Sequence, residues 1–165
     1  MFYVRRGRTG RPSAVALALA TALASPALAE PKVAADAVPP GVTAAVHAAQ
    51  PGLKVVQAEL KEREGRRYYD VEGVLPDGSG LELDLLQTGE TWTVVEIQRD
   101  ISWSDAPATV RAAAGAVEPA RVIESRQTDG SVVYELFAAG KPQTPSLEVM
   151  LKDGEARVLQ ETWPH

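Results

Sequence analysis

The chain has 165 residues, of which 45% are apolar and 24% charged, a globular composition that excludes a wholly disordered protein. It contains no cysteine, which excludes disulfides, cysteine-ligated zinc, a cysteine nucleophile and a lipid anchor on cysteine. The 17 basic and 22 acidic residues give a formal net charge of −5.

Residues 1–29 have the three parts of a secretory signal peptide. Four arginines and no acid precede an apolar segment, Ala14–Ala24, and Ala27-Leu28-Ala29 matches the small-residue cleavage pattern. A retained membrane anchor is a weaker interpretation, because this segment falls short of the roughly 20 apolar residues that span a bilayer. A mitochondrial presequence, also rich in arginine, is a second rival. We therefore expect cleavage after Ala29 and a periplasmic or secreted protein.

Cleavage would change the charge of the protein. Loss of the four arginines leaves 13 basic against 22 acidic residues, a formal charge of −9. This charge repels phosphate backbones, and no basic stripe with interleaved aromatic residues remains. The sequence therefore predicts no nucleic-acid binding and no membrane span after signal removal.

Residues 30–38 are small and polar and are predicted to form a flexible leader. Beyond it, the chain runs twice through one pattern. The segments PPGVTAAVHAAQP and PATVRAAAGAVEP lie 68 positions apart, and each carries small apolar residues at helical spacing between prolines. Asp105 is a candidate N-cap for the second helix. The pattern predicts a first repeat at residues 39–101 and a second at residues 105–163.

Four strand-like stretches separated by turn residues follow each helix. The predicted fold class is α+β, with two tandem repeats, each a short helix followed by a four-stranded antiparallel meander sheet. Whether the two sheets join edge to edge stays open. The predicted strands are Lys54–Glu62, Arg67–Leu75, Gly80–Leu86 and Thr91–Gln98, then Arg121–Gln127, Ser131–Ala138, Ser146–Leu151 and Ala156–Trp163.

The ordered, duplicated motif resembles the PepSY-like domain, which is similar to β-lactamase-inhibitor-protein-like (BLIP-like) tandem repeats. The resemblance extends from Val38 to Trp163 and implies an exported module that binds other proteins, possible roles being peptidase inhibition or envelope sensing. It implies no shared catalytic apparatus. The residues that carry it are Pro39, Val42, Pro51, Val56, Tyr69, Leu81-Glu82-Leu83 and Gly89, then Pro107, Val110, Pro119, Ile123, Tyr134, Leu147-Glu148-Val149 and Gly154.

Two pairs of carboxylates stand at i, i+2 on predicted strands, Asp70 with Glu72 and Glu82 with Asp84. Such pairs lie on one strand face. They either chelate calcium or form a solvated sheet face, and the second interpretation is favoured. The second repeat does not reproduce both pairs, so no repeated metal site is predicted.

Aromatic residues are the other candidates for a partner-binding face. Adjacent strand residues point to opposite faces, so one of Tyr68 and Tyr69 must point away from the helix, and the parity of both repeats assigns this direction to Tyr68. Aromatic side chains on an acidic open sheet are typical of protein interfaces. The predicted face comprises Tyr68, Asp70, Glu72, Glu82, Asp84, Trp92 and Trp103.

The sequence shows no catalytic constellation. His47 and His165 are the only histidines, no serine lies in G-x-S-x-G, and no phosphate-binding glycine motif occurs. We therefore expect no enzyme and no cofactor. The predicted function is a non-enzymatic protein-binding module of the cell envelope, and the alternative is a periplasmic calcium- or small-ligand-binding protein that uses the two carboxylate pairs.

Overall fold

The computed structural model describes residues 32–160. The predicted signal peptide and its cleavage site lie outside the described residues. The helices are α1 (Pro40–Ala49) and α2 (Ala108–Ala114), with short 3-10 turns at Ala35–Ala37 and Trp103–Asp105. The strands are β1 (Val33–Ala34), β2 (Lys54–Arg63), β3 (Arg66–Val74), β4 (Gly80–Thr88), β5 (Thr91–Ile101), β6 (Arg121–Gln127), β7 (Val132–Phe137), β8 (Leu147–Lys152) and β9 (Glu155–Val158).

The strands form one continuous antiparallel sheet in chain order from β1 to β9. The predicted fold class of two repeats, each with its own four-stranded sheet, is therefore wrong. The junction is the pairing of β5 with β6, which runs from Glu96 opposite Gln127 to Ile101 opposite Val122. This pairing satisfies backbone groups that two separate sheets would leave unpaired at their edges.

Both helices pack on the same face of this sheet. Val42 and Val46 of α1 are fully buried in one hydrophobic cluster, and Val110 of α2 is fully buried in a second. Directly paired residues share a face, so the strand register assigns Leu83, Ile97, Val122 and the other cluster residues of the sheet to this side. We call it the helix face and the opposite side the open face.

The second helix differs from its prediction at both ends. Asp105 does not cap it but lies in the preceding 3-10 turn, and the N-cap position is Pro107, which has no side-chain cap bond. The helix ends at Gly115, whose φ of 68° lies in the left-handed region that ends many helices. Val117 therefore lies beyond the helix, although it still packs against the second cluster.

Two hairpin turns show how local chemistry fixes the register of the sheet. Asp77 Oδ1 accepts hydrogen bonds from the backbone N and the Oγ of Ser79, at 2.9 and 2.6 Å. Asp129 makes the same two bonds with Ser131 at the same distances. Such Asx turns hold the loop in one conformation, so the strands on either side meet in a single register.

Candidate functional site

The open face gathers five of the seven residues predicted for a partner-binding face. Tyr68, Asp70 and Glu72 alternate along β3, and Glu82 and Asp84 alternate along β4. Asp70 stands opposite Asp84 and Glu72 opposite Glu82, so the two carboxylate pairs form adjacent cross-strand pairs. Like charges directly opposite one another on a sheet repel. The fold therefore concentrates carboxyl groups here.

The two tryptophans of the predicted face lie elsewhere. Trp92 packs against the first hydrophobic cluster, where its ring meets that of Tyr69 edge-on at 5.0 Å between centroids. Trp103 packs against the second cluster beside α2. Both tryptophans thus lie on the helix face, partly buried against the two hydrophobic clusters.

The assignment of the adjacent tyrosines is confirmed. Tyr69 packs with Val71 in the first cluster, and Tyr134 packs with Leu136 in the second. Tyr68 points to the open face, where the guanidinium of Arg63 lies 5.3 Å from its ring centroid. Both tyrosines of β3 are half-buried, so the arginine covers part of the ring that the sequence predicted to be free.

The carboxylates are not the solvated set that the sequence favoured. Asp70 is 5% exposed and Asp84 only 3% exposed. Lys61 and Arg63 of β2 both contact Oδ2 of Asp70, and their side chains shield the pair from water. Arg63 also lies 3.9 Å from Oδ2 of Asp84. Strand alternation gave the face of each carboxylate but not this cover, which comes from a neighbouring strand.

Burial and crowding change the acidity of these groups. Burial, followed by the charges of Asp70, Glu96 and Glu82, raises the pKa of Asp84 to about 8. Burial and the charge of Asp70 also raise the pKa of Glu82. Asp84 therefore keeps its proton at neutral pH, where an isolated carboxyl group would release it.

Glu72 behaves differently because it has hydrogen-bond donors. Burial acts to raise its pKa, but hydrogen bonds from Lys32 and Gln57 together lower it. The Lys32 Nζ and Gln57 Nε2 atoms lie 2.5 and 2.7 Å from its carboxylate oxygens. Glu72 therefore stays ionised at neutral pH at the margin of the acidic group.

The open face continues into the second half of the sheet with further buried acids. Glu96 is 5% exposed and accepts hydrogen bonds from Ser125 Oγ and, at 2.8 Å, from Gln127 Nε2. Glu135 and Glu148 are 4% and 5% exposed and stand directly opposite each other on β7 and β8. These residues were not among the predicted candidates. Strand alternation places these acids on one face with Ile123, Val133 and Met150. The alternation could have revealed them as candidates, but the apolar residues beside them made this part of the face resemble a core.

A cleft of about 710 Å³ opens on this side at the junction of the two halves. Val56 and Val74, the two exposed large hydrophobic residues of the described chain, both line it. Val56 occupies a β-bulge, where β2 carries one residue more than β3, so its side chain has no cross-strand partner. The polar lining includes Glu72, Ser79, Glu82, Gln98, Arg99, Asp100 and Arg121.

His47 is exposed in the last turn of α1, and His165 lies outside the described range. Between residues 32 and 160, no helix has the length and apolar character needed to cross a bilayer.

Comparison of the chain with protein-family models, curated proteins and solved structures finds no match. Functional inference for this protein therefore depends on the open face itself.

Proposed function

We propose that this chain is an exported, non-enzymatic binding protein of the PepSY-like kind, which holds a basic segment of a protein partner in its open-face cleft. The observation that carries the proposal is the open-face cleft, where carboxylates and two exposed valines line one cavity of about 710 Å³. The resemblance noted in the sequence and the predicted signal peptide support the same role. The partner is expected in the cell envelope.

The charge of the cleft selects the chemistry of the partner. The Arg121 guanidinium donates to both oxygens of Asp100, at 2.6 and 3.0 Å, so the two charges neutralise each other within the lining. Glu82 is half-buried, and the charge of Asp70 acts on its carboxyl group. A lysine or arginine brought by a partner would relieve this like-charge contact, because an opposite charge favours the ionised forms. Negative mature charge would also steer such a partner to the protein.

The valines select for an apolar group beside the basic one. Val56 is 49% exposed and Val74 is 38% exposed at the edge of the cleft. Burying them against a partner would contribute roughly 25 cal/mol for each Å² removed from water. Successive side chains of an extended chain point to opposite sides. A segment that alternates basic and aliphatic residues would therefore present the basic groups on one side and the aliphatic groups on the other.

Titration with two labelled peptides tests the proposal. The probes are acetylated Lys-Val-Lys-Val-Lys and its counterpart with glutamate in place of lysine, each followed by fluorescence anisotropy in EDTA. We expect the basic peptide alone to bind, with an affinity that falls as salt is added. Glu82→Gln should weaken binding about tenfold, the scale of a hydrogen bond to a charged group.

Glu90→Gln is the matched control, since Glu90 is exposed in the turn between β4 and β5 and the substitution removes the same charge. It should leave the affinity unchanged. Equal weakening by both substitutions would show that the peptide responds to net charge alone, and binding of both peptides alike would refute charge selection.

A further inference from the structure

The acidic group on β3 and β4 contains a convergence of three carboxylates. Asp70, Glu82 and Asp84 each offer one oxygen, and these oxygens all lie within 4.8 Å of one another. The strand register brings them together, because Asp84 stands opposite Asp70 and Glu82 precedes it by two positions on the same face. Proximity of acids alone does not define a site, since such groups are common on protein surfaces.

A second observation points to a ligand. Oδ1 of Asp70 and Oδ1 of Asp84 are both buried and have no hydrogen-bond partner. The side chains of the two residues are 6% and 4% exposed. Buried polar atoms in folded proteins nearly always have a partner, and an exception calls for an explanation such as an ion. Two such atoms, on residues that stand opposite each other in the sheet, make this cluster a candidate cation site.

The neighbouring cations leave this position available. Lys61 and Arg63 approach Oδ2 of Asp70, and Arg63 is near Oδ2 of Asp84, whereas neither Oδ1 atom has a hydrogen-bond partner. The two cations also reduce the local charge. Three carboxylates opposed by two cations leave one net negative charge when all are ionised, which favours a weak site over a tight one.

We propose that Asp70, Glu82 and Asp84 form a calcium site on the open face. This inference goes beyond the binding of a protein partner and does not depend on it. Carboxylate oxygens are the ligands of hard cations. Calcium–oxygen distances of about 2.4 Å place opposite ligands about 4.8 Å apart, so three oxygens that lie within 4.8 Å of one another can share one calcium ion. Magnesium requires shorter bonds and near-ideal octahedral geometry, which three fixed strand residues do not supply.

The cleft gives the ion its route and its remaining ligands. Glu82 lines the cleft and is half-buried, whereas Asp70 and Asp84 are deeply buried. An ion that enters past Glu82 therefore keeps its water ligands on the cleft side. Carboxylate oxygens replace its other water ligands. The low net charge and partial hydration predict a Kd of about 10⁻⁴ to 10⁻³ M, as in extracellular calcium modules.

Calcium titration of the chain without residues 1–29 tests the site. Isothermal calorimetry at pH 8 should give one saturable site for calcium. In about 10 mM calcium, roughly ten times the weakest expected Kd, the melting midpoint should rise by at least roughly 3–6 °C over its value in EDTA. Magnesium should shift the midpoint by less than half as much. Absence of calcium binding at about 10 mM would overturn the proposal, and an equal shift with magnesium would overturn the choice of calcium.

Three variants locate the ion. Glu82→Gln and Asp84→Asn should each weaken calcium binding at least tenfold, whereas Glu90→Gln on the distant turn should not. Asp84→Asn keeps the shape of the side chain and removes a crowded charge, so it should fold at least as well in EDTA. A folded Asp84→Asn protein with unchanged calcium affinity would refute the site. An equal loss of calcium affinity in the Glu90→Gln control would also refute the site, because it would indicate that calcium responds to the net charge of the protein alone.

Discussion

Asp84 provides the sharpest test of the electrostatics of the open face. Its carboxyl group is 3% exposed, Oδ1 has no hydrogen-bond partner, and the nearest cation, Arg63, is 3.9 Å from Oδ2. Burial and the facing carboxylates of Asp70, Glu96 and Glu82 raise its pKa to about 8. The perturbation is Asp84→Asn, which keeps the shape of the side chain and removes its titration.

The raised pKa sets the sign of the effect on stability. Unfolded aspartate titrates near 3.9, so between about pH 5 and pH 7 the folded protein holds one more proton at this position than the unfolded chain. The free energy of unfolding therefore falls as pH rises, by about 1.4 kcal/mol for each pH unit from this group. Between pH 5 and pH 7 the loss is about 3 kcal/mol, a large share of a total stability of roughly 5–15 kcal/mol.

Urea denaturation in EDTA at pH 5, 6, 7 and 8 measures this dependence. The stability of Asp84→Asn relative to the unchanged protein should increase at each step, and the gain should level off above pH 8, where the carboxyl group is ionised in both states. Glu72 does not obscure the test. Burial acts to raise the pKa of Glu72, but the hydrogen bonds from Lys32 and Gln57 lower it below its ordinary value. The stabilising effect of the Glu72 carboxylate is therefore lost only at more acidic pH. Parallel profiles for the two proteins would refute the reasoning.

Two further predictions concern the helix face. Val110→Asp places a carboxylate in a fully buried position of the second cluster and should cost several kcal/mol of stability. Circular dichroism melting should therefore show loss of the folded state. Unchanged melting would mean that α2 is not docked on the sheet. Tyr69→Ala should cost about 2–4 kcal/mol in urea denaturation, because a half-buried ring in contact with Trp92 is lost. Tyr68→Ala removes only its partial cover and the Arg63 contact, so it should cost about 1 kcal/mol or less, and the reverse order would invert the two faces.

The sequence predicted local structure closely where local rules act. The prediction for β6, Arg121–Gln127, matches the structure, and β2 to β5, β7 and β8 differ from their predictions by at most three residues at either end. The short strand β1 lies in the segment predicted as a flexible leader, and β9 ends at Val158 although its prediction ran to Trp163. Alternation of apolar and polar residues placed Tyr69 on the helix face and Tyr68 on the open face. The second helix was predicted too long because Val117 continues the helical spacing, although Gly115 ends the helix before it.

Long-range pairing decided what local patterns could not. Nothing in the residue pattern required β5 to pair with β6, because edge strands of two sheets and neighbours within one sheet have the same alternation. The same limit affected the tryptophans. Their size and number suggested an interface, but the position of the helices placed Trp92 and Trp103 against the cores.

The residues of β3 and β4 separate the two kinds of information most clearly. Side chains alternate along a strand, so the sequence alone determined that Asp70 and Glu72 share one face, as do Glu82 and Asp84. Only the tertiary structure placed Asp70 opposite Asp84 and brought Lys61 of a third strand into contact with Asp70. The physical reason is that desolvation and Coulomb interaction depend on distance in space, which strand pairing fixes and sequence spacing does not.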